Sequence, residues 1–351
     1  MNGIENIKAL SNAFGPSGFE DDVITYVRKE IEKDCHVEED SMRNLYMQTN
    51  ENKECGVRIL LDAHSDEVGF IVQAIKPNGT LQILPLGGWD PKNIVANKVS
   101  IKNHEGKLIS GVVCSKPVHF MEAEEKGKEI NFDQILVDVG ATSDREVKES
   151  YHIGIGSPLA PAVDCEYDEE HEIFIGKAMD CRIGCAALLQ TIKKISHKSN
   201  TVIATLSSQE EVGERGMKCA IHKIQADIAI CFEGCPADDT FNEEYKIQSG
   251  LKRGPMLRHF DCSMITNPRF QRFALNLCKK YEIPVQESVR KGGGTNGGIT
   301  HTYNIPTIVI GIPVRYAHSS YGITSMIDYQ NACKLAVKII EEIDIETVQS
   351  F

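Results

Sequence analysis

From about residue 165 to the C-terminus the chain alternates between strand-like and helix-like segments. This alternation limits its possible folds more than any other feature. Apolar, β-branched runs at 172–176, 201–206, 227–232 and 306–312 are separated by helical spacing at 182–196, near 215–223, at 267–281 and at 327–343. Such a pattern builds an α/β sheet with helices on both faces. The run Val57-Arg58-Ile59-Leu60-Leu61-Asp62 has the same character and joins that sheet. Helical spacing also marks 4–13 and 20–34, with Gly15-Pro16-Ser17-Gly18 as the turn between them. Ser17 or Gly18 is placed to cap the second of these helices, and Glu20, Asp21 and Asp22 suit its N-terminus.

Between 70 and 164 the texture changes to short β-like runs at 69–73, 80–83, 99–101, 108–113 and 135–139. Asn78-Gly79 is a hairpin signal. No long helical pattern interrupts, apart from a charged patch at 121–129. The expected organisation is a mixed α/β domain formed by 1–69 and 165–351, with 70–164 inserted as a small all-β domain.

The 351 residues suffice for one large domain carrying a second. A net charge of −12 with no basic run argues against nucleic acid or an anionic membrane as partner. No apolar stretch reaches transmembrane length, and Met1–Ile7 lacks the pattern of a signal peptide. Twelve cysteines are scattered with no CxxC pair, as expected of reduced thiols in a cytoplasmic protein. Cys219, Cys231, Cys278 and Cys333 lie in apolar runs and read as small core residues.

The chemistry gathers after the strands. The run 201–206 leads into Ser207-Ser208-Gln209-Glu210-Glu211-Val212-Gly213; 57–62 leads to His64 and Asp66; 227–232 to Glu233; 306–312 to His318. Asp180 stands just before the helix read at 182. Ligands of open α/β sheets bind outside the carboxyl ends of the strands, so these residues converge on one crevice. Two imidazoles and several carboxylates suit zinc or another first-row divalent ion. There are enough donors for two ions, the usual clamp for hydrolysis. Asp180 is expected to bridge them, with His64 and Glu233 on one ion and Glu211 and His318 on the other. Glu210 is then free to take a proton from the attacking water and pass it to a leaving amine. Asp66 is placed to hold the second ring nitrogen of His64. Each residue also has an ordinary reading: Glu210 and Glu211 as a solvated turn, Asp66 and Asp180 as caps, Glu233-Gly234 as a turn.

Gly292-Gly293-Gly294-Thr295-Asn296-Gly297-Gly298 fits neither a dinucleotide fingerprint nor a P-loop. It reads as a loop, either lining the pocket or simply connecting elements. Cys181 and Cys185 read as core thiols rather than ligands. No Gly-x-Ser-x-Gly elbow occurs. Arg253 is either a surface residue or one that faces the pocket and attracts acidic side chains.

Taken in order, several motifs resemble the M42 family of dinuclear metalloaminopeptidases, which includes glutamyl aminopeptidases and TET peptidases. They are Gly15-Pro16-Ser17-Gly18-Phe19-Glu20, Ala63-His64-Ser65-Asp66-Glu67-Val68-Gly69, Ala178-Met179-Asp180-Cys181-Arg182-Ile183-Gly184-Cys185, Gln209-Glu210-Glu211-Val212-Gly213-Glu214-Arg215-Gly216, Gly293-Gly294-Thr295 and Arg315-Tyr316-Ala317-His318-Ser319. The likeness spans nearly the whole chain. It implies a mixed sheet flanked by helices, of the dinuclear-zinc exopeptidase type, with a small all-β insertion used in assembly. It places the metal ligands on His64, Asp180, Glu211, Glu233 and His318 and the general base on Glu210. The implied cofactors are two divalent ions, zinc first, with cobalt or manganese as alternatives. Peptide substrates and a cytoplasmic homo-oligomer, built from dimers up to twelve subunits, also follow from the resemblance. Three positions depart from the family pattern. Cys181 stands where a second acidic residue is usual, after a peptide bond typically cis in related enzymes. Asn296 replaces an Asp, and Glu233 a more frequent Asp. The Asn296 change is expected to act on substrate contacts or loop order. Other readings are a dinuclear deacylase or amidohydrolase and a non-catalytic assembly protein.

Overall fold

The computed structural model describes residues 3–49, 56–122, 130–195 and 200–351. The charged patch from residue 123 on, the first two residues, Cys55 and the predicted last residue of the 182–196 helix lie outside them.

Four strands at the centre of the main sheet are parallel: Thr201–Ser207, Arg58–His64, Ile228–Pro236 and Thr307–Arg315. Beyond Arg58, every residue of Arg58–His64 is buried, as a strand covered on both faces requires. Ile59, Leu61, Ile228 and Ile230 pack into one core with Leu10, Val27, Leu188 and Leu335 from the helices on that face. Leu60 and Ala229 point the other way, onto Met217, Ala220 and Ile221. The period of two thus separates two apolar layers, and each large side chain buried in them contributes about 1.5–3 kcal/mol.

The register sets Ser207 opposite His64, so adjacent parallel strands finish together at one edge. The helix that begins the C-terminal half is Met179–Lys194, but Asp180 (φ −85°, ψ 107°) and Cys181 (φ −114°, ψ 31°) are not helical. Regular helix therefore starts at about the predicted position, and the peptide bond between Asp180 and Cys181 is cis.

The outer strands on one side have no counterpart in the sequence reading, whereas the run at 172–176 lies toward the other edge as Ile173–Gly176. Cys35–Glu39 and Leu45–Thr49 form an antiparallel hairpin that extends the sheet beside Thr201–Ser207. Each is only five residues long and half-exposed, so neither carries a long apolar run. Ser17 caps no helix; its hydroxyl donates to Asp66 Oδ2 at 2.6 Å instead. Glu20 precedes the helix Asp21–Ile31 without a side-chain cap. Cys231, Cys278 and Cys333 are buried, but Cys219 is exposed, because the apolar face of its short helix is supplied by Met217 and Ala220.

A second unit is a closed barrel of six strands: Gly69–Ile75, Leu81–Leu86, Leu136–Asp138, Leu108–Val113, Lys98–Lys102 and Pro158–Pro161. Its own core includes Phe70, Leu81, Val99, Ile101, Val137 and Leu159. Asn78 and Gly79 turn the first hairpin, with Gly79 at φ +87°. Closure removes the free sheet edges that a small β unit would otherwise expose. A one-and-a-half-turn helix, Asp144–Glu149, capped by Ser143, adds to the β elements. Among the described residues, no helix is long and apolar enough to cross a membrane.

Candidate active site

At the common edge of the parallel strands lies a cavity of about 410 Å³. His64, Asp180, Glu210, Glu211, Glu233 and His318 all line it. Asp180 reaches this position because Gly234 lets the two backbones meet: a Cβ there would stand 2.7 Å from Asp180 Cα. Five non-glycine residues that line the cavity or stand within two positions of a lining residue, Ala178, Gln209, Glu214, Tyr316 and His318, adopt positive φ between 48° and 60°. Left-handed backbone at such residues is costly and collects where geometry is imposed by surroundings.

Asp180 presents one oxygen to each imidazole. Its Oδ1 is 3.4 Å from His64 Nε2, and its Oδ2 is 3.4 Å from His318 Nε2. Glu233 Oε1 completes one group at 3.2 Å from His64 Nε2, and Glu211 Oε2 the other at 3.3 Å from His318 Nε2. The far nitrogens each lie near an oxygen. His64 Nδ1 faces Asp66 Oδ1 at 3.3 Å, and His318 Nδ1 lies 2.9 Å from the Gly88 carbonyl. With an oxygen beside Nδ1, each ring directs Nε2 toward the carboxylates.

These groups are buried and crowded. Burial pushes the Glu211 carboxyl up to about 8 and Glu233 up to about 7. Glu210 is raised well above the usual carboxylate range, by burial first and then by Glu233 and Glu211, with His64 opposing. Burial also acts upward on Asp180, but the facing imidazoles of His318 and His64 outweigh it and hold this carboxyl below its ordinary value. Burial lowers His318, yet Asp180 and Glu211 carry it up to about 9. Asp180 Oδ1 and Glu211 Oε1 are buried with no hydrogen-bond partner. Orphaned oxygens beside mutually repelling carboxylates are what a bound cation relieves. The two groups fit divalent ions, and a donor set of nitrogen and oxygen suits zinc and its neighbours.

Asp66 is fully buried and does more than face His64. Its Oδ1 accepts from the Glu210 amide at 2.9 Å and its Oδ2 from the Glu211 amide at 3.1 Å. Other supports had no signal in one sequence. The Ser208 amide donates to Asn44 Oδ1 at 2.9 Å, and the Gln209 amide to Glu20 Oε1 at 3.1 Å. Asn44 sits in the hairpin that short, half-exposed strands concealed. The glycine-rich loop lines the cavity through Gly292, Gly293, Gly294 and Thr295. Thr295 caps the helix Asn296–Thr302. Asn296 lies below the pocket, not on its wall: its Nδ2 donates to Asp62 Oδ2 at 2.8 Å and to Ser207 Oγ at 2.7 Å. Arg253 pairs with Glu244 on the surface; the arginines that line the cavity are Arg258 and Arg290.

The model of the M42 glutamyl aminopeptidase family matches residues 44–335. A glutamyl aminopeptidase of Lactococcus lactis subsp. cremoris is 30% identical over 349 residues, covering 98% of this chain and 97% of that protein. A lysyl aminopeptidase of Pyrococcus furiosus is 30% identical over 348 residues, with 97% of each chain covered. The TET aminopeptidase from the marine sediment archaeon Thaumarchaeota archaeon SCGC AB-539-E09 superposes with a TM-score of 0.94 at 33% identity, covering 99% of this chain and 98% of that one. Fold and relatives together define a peptide hydrolase of the aminopeptidase class. The chain belongs to the M42 glutamyl aminopeptidase family.

Proposed function

We propose that the protein removes N-terminal residues from peptides at a two-ion centre held by His64, Asp180, Glu211, Glu233 and His318. The observation that carries this reading is the split carboxylate of Asp180, with one oxygen facing each histidine at 3.4 Å. Divalent ions held there supply Lewis acidity toward the scissile carbonyl and the attacking water. Zinc is the favoured ion, with cobalt and manganese compatible.

The chain's own residues do the rest. Glu210, on the cavity wall and free of the histidine groups, accepts a proton from the attacking water at its carboxylate and returns it to the leaving nitrogen. Asp66 orients His64 and holds the amides of Glu210 and Glu211, so the proton carrier and the ligands share one support. The backbone of Gly292–Gly294 also lines the cavity, and its amides are candidates to steady a substrate carbonyl.

In this reading 1–69 and 165–351 form the catalytic domain, and the inserted 70–164, whose barrel begins one residue earlier at Gly69, serves assembly. Leu108, Val112, Val118 and Phe120 expose apolar surface there, which suits contact with further copies of the chain.

The test is hydrolysis of a panel of aminoacyl-p-nitroanilides by the full chain, before and after chelation. Release that is lost to chelator and restored by Zn²⁺, Co²⁺ or Mn²⁺ supports the reading and gives the side-chain preference. Release unaffected by complete metal removal, or none from any substrate with metal bound, overturns it.

A further inference from the structure

The two histidine groups are not chemically alike. Among the described residues, the donors around His318 are Asp180, Glu211 and the imidazole. Around His64 a fourth donor stands with Asp180 and Glu233: the sulfur of Cys181, with the ligand atoms of all four within 4.8 Å of one another. The side chain is fully buried, so its sulfur is not spent on solvent. Its thiol donates to the Phe232 carbonyl at 3.3 Å, beside Glu233 on the same strand. Gly184, one turn along the helix, keeps room for it, since a Cβ there would collide with the sulfur. Cys185, by contrast, turns its thiol to the His64 carbonyl at 3.0 Å and is absent from the donor group.

Resting on the two-ion reading above, we infer that Cys181 is a sulfur ligand of the ion held by His64, Asp180 and Glu233. The centre is then asymmetric: one subsite with nitrogen, oxygen and sulfur donors, the other with nitrogen and oxygen alone. A thiol with no metal bound carries its proton at neutral pH. On coordination the S–H bond breaks, the S–metal bond forms, and the proton passes to bulk buffer. The contact with the Phe232 carbonyl is exchanged for the ion. A thiolate makes this subsite the softer of the two, and it takes zinc, cobalt or cadmium ahead of harder ions such as manganese.

The test loads the metal-freed full-length chain with Co²⁺ and records bound cobalt per chain together with the near-ultraviolet spectrum. Bound cobalt with a sulfur-to-metal charge-transfer band, lost in both Cys181→Ser and Cys181→Ala but kept in Cys333→Ser, is the expected result. Direct titration with Cd²⁺ should then show at least about tenfold weaker binding of the first ion in Cys181→Ser, since losing even a partner that only orients a ligand costs that much. Each Cys181 variant should also release about one proton fewer per chain on loading. Cobalt bound at full stoichiometry with no such band in the unaltered chain overturns the sulfur ligand and leaves the two-ion reading standing, with no variant needed. A band that persists without Cys181 overturns it equally. Failure to bind cobalt at all overturns both.

Discussion

Asp66 Oδ1 accepts the backbone amide of Glu210 at 2.9 Å, so a fully buried carboxylate fixes the start of the loop that carries the proposed proton carrier. The same oxygen lies 3.3 Å from His64 Nδ1, and Asp66 Oδ2 holds the Glu211 amide and the Ser17 hydroxyl. One side chain therefore sets the spacing between an imidazole on one strand and two carboxylates after its neighbour.

Asp66→Asn is expected to disturb both. An amide of Asn offers one acceptor where two carboxylate oxygens now serve three N–H or O–H donors and the imidazole. Metal affinity should fall about 10–100-fold, the usual effect of losing the partner that orients a histidine ligand. Competition with a chromophoric chelator measures it; unchanged affinity would show that His64 is held by other contacts.

Glu210→Gln keeps the shape of the wall and removes the proton acceptor. Turnover is expected to drop at least about 10²–10⁴-fold, the contribution of a positioned acid–base group. Bound metal, read by plasma mass spectrometry on the same sample, should not change. Near-normal kcat would remove Glu210 from the proposed role.

His318→Ala and Asp180→Ala should differ in stoichiometry. His318 faces one group of donors, so its loss is expected to empty one subsite, whereas Asp180 faces both histidines and its loss should weaken both. Metal per chain, measured after dialysis against limiting Zn²⁺, distinguishes the two. Equal losses would argue against the split carboxylate.

Asn296→Ala should destabilise the fold without touching the cavity wall. It leaves Asp62, fully buried among Thr205 and Ser207, without its amide donor. A cost of about 1–3 kcal/mol is expected for a buried acceptor losing its partner. Urea unfolding of the metal-free chain reads it directly, and a change below about 0.5 kcal/mol, the range of ordinary surface substitutions, would mean that water or Ser207 replaces the amide.

Asp328 carries a pH dependence remote from the centre. It accepts the amides of Lys252 and Gly254, and burial raises its carboxyl from 3.8 to about 6. A carboxyl whose pKa is higher folded than unfolded favours the fold while protonated. Stability from it is therefore lost as pH rises from about 4 through about 6. The advantage of the unaltered chain over Asp328→Asn in urea unfolding should be largest near pH 4 and shrink toward pH 7. A constant difference across that range would show that the group titrates alike in both states.

Much of the fold was legible because apolar period and turn chemistry are local. The runs at 57–62, 201–206, 227–232 and 306–312 declare buried strands by composition alone, and Asn78-Gly79 declares its hairpin. The hairpin of Cys35–Glu39 and Leu45–Thr49 was not legible, since five half-exposed residues carry too little pattern to separate strand from loop. With it went Asn44, whose hold on the Ser208 amide depends on a strand pairing that no local rule predicts.

The residues at the edge divide in the same way. By itself the sequence determined which polar side chains follow which apolar runs, and that parallel strands would bring their carboxyl ends to one side. Only the tertiary structure decided that Asp180 turns one oxygen to each histidine, that Asn296 lies beneath the pocket on Asp62, and that Arg258 and Arg290 rather than Arg253 line the wall. These relationships join residues dozens to hundreds of positions apart. They are set by sheet register and by close approaches such as that of Gly234 to Asp180, and neither leaves a mark in the order of the residues.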